Sequence, residues 1–257
     1  MADLSLHLEG AVARVVIDRP GKRNAMSLAM WRELPSLFAQ AGQAEEVRVI
    51  VLQGASAEAF SAGADIGELV AHAGSEQMAG SFMDTIEAAT VAMTSCAKPV
   101  VAAISGDCMG GGVELAMACD VRLASTASRF AIPPARLGAL YGFSSTRRLV
   151  NLVGPGRAKD LLFSGRQFDA EEAYAIGLLD QLHAADAFDA AVEKYVAMLC
   201  QRARSSQSGA KTMVAAALSS LTGEDANLRR LRLDNLLGED LKEGASAFLE
   251  KRPAAFR

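Results

Sequence analysis

The chain has 257 residues, 51% of them hydrophobic, with 26 Lys and Arg against 30 Asp and Glu for a formal charge of −4. This length suffices for one large core, and the acidic balance argues against a general nucleic-acid binder, which carries a basic face. No uncharged apolar run reaches the roughly 18 residues of a membrane span, and the opening Met-Ala-Asp-Leu-Ser-Leu-His lacks a basic segment followed by an apolar one, so the expected location is cytoplasmic, with no nucleic-acid or membrane partner.

Leu4 to Glu9 alternates apolar and polar residues, Gly10 turns, and Val12 to Ile17 repeats the pattern, which predicts a hairpin. After the turn-rich stretch Asp18 to Ala25, Ser27 is placed to cap a helix running to about Ala41. Val47 to Gln53 reads as a strand, and Gly54 to Ile66 as a loop of small residues that presents backbone rather than side chains. An apolar period of 3.6 residues marks a long helix from Ser75 to Ala97, ended by Lys98-Pro99. Val121 to Ala124 and Arg129 to Ala131 read as short strands, and Pro133-Pro134 is expected to forbid regular structure. Gly138 to Thr146 reads as a loop entering a helix at Thr146, with further helices from Pro155 and Ala170. Leu178 to Leu182 is strand-like, and nearly everything after Ala185 is helical. Strands alternating with helices up to about residue 182 indicate α/β architecture with parallel pairing.

The stretch from Lys98 to Asp120 organises the rest. Val100 to Ile104 is a buried β-branched run, Gly110-Gly111-Gly112 a tight turn, and Val113 to Ala118 a helix. A helix start leaves backbone N–H groups unpartnered and carries partial positive charge, so it attracts anions. A phosphate loop would place Lys and Ser or Thr after the glycines, where this chain has Val113-Glu114. The glycine spacing also misses the dinucleotide pattern. A small oxyanion formed during reaction, flanked by a carboxylate that handles protons, fits better. On these residues alone the glycines could equally serve only to turn the chain, with Glu114 complementing the helix dipole. Cys96, Cys108, Cys119 and Cys200 lack CxxC spacing and read as buried free thiols. The three histidines, His7, His72 and His183, lie too far apart for a structural zinc site, and no GxSxG elbow occurs.

Together these residues resemble the crotonase superfamily, the enoyl-CoA hydratase and isomerase group. The carriers are Arg19-Pro20 to Asn24-Ala25, Phe60-Ser61-Ala62-Gly63-Ala64-Asp65-Ile66, Lys98-Pro99-Val100 through Gly110-Gly111-Gly112-Val113-Glu114 to Cys119-Asp120, and the ending Gly244 to Phe248 with Glu250-Lys251-Arg252-Pro253 and Phe256. The resemblance implies a ββα spiral over residues 1–200, binding an acyl-CoA, and a C-terminal helical trimerisation layer over residues 201–257. It implies a homotrimer or dimer of trimers, and no cofactor beyond the coenzyme A of the substrate. The thioester oxygen would sit between the backbone N–H groups of Ala64 and Gly111, with Glu114 beside it, and Arg23, Ala62, Asp65, Ile66, Gly110, Pro133 and Lys251 would line the CoA and acyl path. Hydratases of the group use two glutamates, and the place of the second is Pro134, which cannot take a proton. The loop Leu137-Gly138-Ala139-Leu140-Tyr141-Gly142 resembles that of methylmalonyl-CoA decarboxylase, which implies that Tyr141 holds a leaving carboxylate. Three readings stay open: hydration or elimination with Glu114 alone, decarboxylation of a 2-alkylmalonyl-CoA, and CoA binding without catalysis.

Overall fold

The computed structural model describes residues 3–256; Met1, Ala2 and Arg257, at the outer ends of the two expected segments, lie outside it. In chain order the elements are β1 (Leu4–Glu9), β2 (Val12–Ile17), α1 (Leu28–Gln43), β3 (Val49–Gly54), β4 (Ala59–Ser61), α2 (Ile66–His72), α3 (Glu76–Ser95), β5 (Val100–Ile104), β6 (Asp107–Met109) and α4 (Gly111–Ala118). They continue as β7 (Val121–Ser125), β8 (Arg129–Ala131), α5 (Pro134–Leu137), α6 (Phe143–Val153), α7 (Pro155–Ser164), β9 (Gln167–Asp169), α8 (Ala170–Ala175), β10 (Gln181–His183), α9 (Phe188–Cys200), α10 (Arg204–Ala217), α11 (Ala226–Leu237) and α12 (Glu239–Leu249).

Two sheets form, one ordered β1-β2-β3-β5-β7-β10 and one ordered β4-β6-β8-β9. The expected hairpin β1–β2 is antiparallel, and β2, β3, β5, β7 and β10 run parallel to one another. Each long strand hands over to a short strand of the second sheet and then to a helix: β3-β4-α2, β5-β6-α4 and β7-β8-α5. This is the ββα spiral expected from the resemblance. Because the short strands β4, β6 and β8 pair side by side in parallel, the chain leaves them at one edge of the second sheet. The loops that build the site therefore converge there.

Continuous burial of β3 and β5 follows from covering both faces of a parallel sheet. On β3, Ile50 and Leu52 face a core shared with Trp31, Leu34 and Phe38 of α1, Met93 of α3 and Leu115 of α4. Val49 and Val51 face the other way, onto Val101, Leu123 and Phe188, Val192 and Val196 of α9. That split is the two-residue period of a strand. Of the cysteines, Cys108 and Cys119 are buried, and Cys96 and Cys200 only half-buried; all are free thiols.

The structure departs from the sequence reading in several places. The expected loop Gly54 to Ile66 holds strand β4, paired with β6, and helix α4 begins at Gly111 within the expected turn. Pro134 opens α5 instead of preventing it, because proline at the first helical position gives up an N–H that would be unpaired anyway. Helix α6 starts at Phe143, three residues before the expected Thr146. Helix α2 follows directly on the small-residue loop, capped by Asp65, whose carboxylate accepts from Gly67 N at 3.0 Å. The strand expected at Leu178 to Leu182 is β10, Gln181–His183, with Leu178 and Leu179 buried just before it.

Helix α10 is tied to the core by Lys211, whose Nζ lies 2.7 Å from Asp120 and donates to the Lys98 carbonyl at 3.1 Å. Further along, Leu233, Leu236, Leu237, Leu241, Phe248 and Leu249 are exposed. No helix among the described residues is long and apolar enough to cross a membrane.

Candidate active site

Two backbone amides form the centre of the site. After β4 the chain passes Met26, which donates to Gly63 O at 2.7 Å and accepts from Asp65 N at 2.9 Å. Ala64 is the bridged partner of Met26, and in a parallel bridge that bonds the flanking residues, the N–H of the middle one points to the opposite side. Gly111 is the first residue of α4, so its N–H has no intrahelical acceptor. Among the described residues neither amide donates to any protein acceptor. They are also neighbours: a Cβ on Gly111 would lie 3.1 Å from Ala64 N. Gly63 permits the approach. Its φ is +97°, and a Cβ there would meet Gly111 N at 2.9 Å and Met109 O at 2.7 Å.

Glu114 lies in the first turn of α4 and is buried. Burial pushes its carboxyl up from 4.5 to about 7. The Ser145 hydroxyl and the Arg148 guanidinium pull the other way, and Glu87 adds to the rise. Desolvation thus outweighs Ser145 and Arg148, leaving a carboxyl able to take and return a proton near neutral pH.

Tyr141 packs against the core with its hydroxyl donating to the Gly110 carbonyl at 2.5 Å. Burial first, then the charges of Glu114 and Cys108, push the phenol well above its ordinary value, so it stays protonated. The sequence reading offered this hydroxyl to a substrate carboxylate, but its one proton is engaged by the backbone. Pro133 caps α5 with its ring 3.7 Å from the place a Cβ on Gly110 would occupy. Pro134 beside it is buried.

The residues expected to bind CoA divide. Arg23 and Ala62 line a cleft of about 450 Å³ together with Asp107, Met109, Arg129 and Gln167. Arg23 is exposed over most of its length and pairs with Asp107, while Ala62 N donates to Arg23 O at 3.0 Å. Met109, which lines the cleft, has its carbonyl against Gly63, next to the amide pair. Ile66 is half exposed at the start of α2. Asp65, by contrast, has its carboxylate engaged in capping α2 and in a 2.9 Å ion pair with Arg19. Lys251 is exposed just past α12, and among the described residues neither a hydrogen bond nor the lining of the cleft joins it to this cluster.

Sequence reasoning missed Glu87, Ser145 and Arg148, the groups around Glu114. Ser145 and Arg148 are three apart on α6 and so share a face, a signal hidden once the helix was started at Thr146. It also missed Arg129 and Asp107 of the cleft, which come from β8 and β6.

Residues 7–257 match the family model for enoyl-CoA hydratase/isomerase. The crotonyl-CoA hydratase of Syntrophomonas wolfei is 31% identical over 258 residues, covering 99% of this chain and 97% of its own. The short-chain-enoyl-CoA hydratase of Clostridium acetobutylicum is 37% identical over 186 residues, 69% of this chain and 67% of its own. Among solved structures, a Hyphomonas neptunium protein assigned to the enoyl-CoA hydratase/isomerase family superposes with a TM-score of 0.96 at 38% identity, over 100% of this chain and 98% of that one.

Proposed function

Because this chain belongs to the enoyl-CoA hydratase/isomerase family, within the crotonase superfamily, we propose that it is a lyase that adds water to an enoyl-CoA thioester, or removes it, with Glu114 as its one acid–base group. The observation that carries the reading is the pair of unengaged amides, Ala64 and Gly111, beside a buried carboxyl that titrates near 7. Ionised Glu114 takes a proton from water as the water oxygen bonds to the β-carbon. The alkene electrons move to the thioester oxygen, and the resulting enolate is held by the two N–H groups. Glu114 then returns the proton to the α-carbon, so one carboxyl serves twice. Losing one such preorganised donor typically costs about 10²- to 10³-fold in rate.

The CoA portion would lie along Arg23 and Ala62 in the 450 Å³ cleft and along the half-exposed Ile66, with Gly110 and Pro133 on the acyl side. Arg129, which also lines the cleft, is a candidate for a phosphate. The coenzyme comes with the substrate, and no separate cofactor is needed for this chemistry. The exposed apolar side chains of α11 and α12 would be covered in a homotrimer or dimer of trimers.

A second reading, decarboxylation of a 2-alkylmalonyl-CoA, is favoured by Pro134 standing where a second glutamate would be. It needs the same enolate stabilisation but no water. Incubating the protein and its Glu114→Gln variant with crotonyl-CoA and with methyl- and ethylmalonyl-CoA, and following products by mass, decides among them. A gain of 18 mass units on crotonyl-CoA, abolished by the variant, is the expected result. Loss of carbon dioxide from the malonyl esters selects the second reading, and CoA-ester binding without turnover on any of them leaves a binding protein.

A further inference from the structure

The Gly110 carbonyl is crowded with donors. It accepts from Val113 N at 2.9 Å, from Glu114 N at 3.2 Å and from the Tyr141 hydroxyl at 2.5 Å. Two of these belong to the first turn of α4 and come with any helix that starts here. The third is a side chain brought in from the loop between α5 and α6, and it makes the shortest contact of the three.

The Gly110 C=O and the Gly111 N–H are two ends of a single planar amide, and in the trans form they point in opposite directions. A donor on the oxygen draws electron density from the nitrogen through the amide resonance and makes the N–H at the far end a stronger donor, the cooperative effect of linked hydrogen bonds. We propose that Tyr141 is a positioning residue that acts through the Gly110–Gly111 peptide: its hydroxyl orients and polarises that amide so that the Gly111 N–H binds the developing thioester oxyanion more tightly. The inference rests on Gly111 being an oxyanion donor, as proposed above, and gives Tyr141 a role that needs no contact with the substrate. The surroundings suit the task. The phenol is held neutral by its burial and by the neighbouring Glu114 charge, so it remains a donor while Glu114 titrates.

The size of the effect follows from two magnitudes. One oxyanion donor is worth about 10²- to 10³-fold in rate, and one linked hydrogen bond strengthens the next by about 10–30%. Raising the first to the power of the second gives roughly a 2- to 8-fold loss when the hydroxyl is removed. Tyr141→Phe keeps the ring that packs on the core, so the loss should fall on kcat, with KM for the CoA ester and the midpoint of the pH profile unchanged.

The test combines turnover with a readout that does not need it. Butyryl-CoA, saturated and unreactive to hydration, is bound with its thioester carbonyl ¹³C-labelled, and the carbonyl stretch is followed by infrared difference spectroscopy in the wild type, in Tyr141→Phe, and with 3-fluorotyrosine and 3,5-difluorotyrosine incorporated at 141. The wild type should lower the stretch relative to free butyryl-CoA, Tyr141→Phe should lower it less, and the more acidic fluorinated phenols should lower it more, in order of acidity, with kcat following the same order. Equal stretches in the wild type and Tyr141→Phe, or a response that does not follow phenol acidity, overturn the role of Tyr141. A wild-type stretch no lower than that of the free ester overturns the oxyanion site itself, so the two failures are distinguishable.

Discussion

Glu114→Gln should make the protein inactive and, above neutral pH, more stable. The carboxyl is buried and ionises near 7 in the folded chain against 4.5 ordinarily. Between those values the folded state holds a proton that the unfolded state has released, so stability falls as pH rises through this window and levels off above about 7. At 1.36 kcal/mol for each tenfold change in acidity, the full loss is roughly 3 kcal/mol. Glutamine matches the shape of the protonated acid and carries no charge, so it escapes this cost. Urea unfolding of both proteins at equal protomer concentration should give matching stabilities near pH 4 and a glutamine advantage approaching roughly 3 kcal/mol at pH 8.5. On the proposed reading the same group sets the rate. As the base that activates water it must be ionised, so kcat/KM for crotonyl-CoA should rise with pH as a one-proton step centred near 7. A stability difference that stays flat from pH 4 to 8.5 would refute the argument, because the carboxylate would then be solvated in the fold as it is in the open chain.

Two further outcomes follow from the geometry. Gly63→Ala puts a methyl within 3 Å of Met109 O and Gly111 N on a backbone with φ of +97°; strain of about 1–3 kcal/mol should lower the melting temperature, and displacement of the Gly111 amide should cut turnover by at least about 10²-fold, with an unchanged melt and rate counting against the close approach. Phe248→Glu combined with Leu249→Glu places charge on two of the most exposed apolar side chains of the C-terminal layer, and sedimentation should show a trimeric wild type and a smaller species for the variant, whereas identical sedimentation would place the subunit contact elsewhere.

The alternation of buried strand, glycine turn and helix was readable because each signal is local: β-branched runs, Gly110 to Gly112, and a helix-forming stretch with one acid. Ala64 and Gly111 come together only through the pairing of β4 with β6, a contact between segments about fifty residues apart, and the local pattern around either does not reveal it; the resemblance supplied it. The surroundings of Glu114 were harder still, because Glu87, Ser145 and Arg148 arrive from α3 and α6. Pro134 was misread for a physical reason: two prolines in sequence suggest a break, yet the second is well suited to the first position of a helix.

The same prolines bear on how one carboxyl can suffice. Where two acids share a cavity, each raises the other, and the proton of the pair is divided between them. Here the rise to about 7 comes from burial first, with Glu87 the last of the causes, and Ser145 and Arg148 opposing it. A lone acid at that value is half ionised near neutrality, so a single group can accept a proton from water and return it to carbon within one turnover. What it cannot do alone is hold the water in line, which a second acceptor would. On the proposed hydratase reading, efficiency should therefore depend on how firmly the thioester is fixed, the task proposed for the Ala64 and Gly111 amides and for whatever strengthens them.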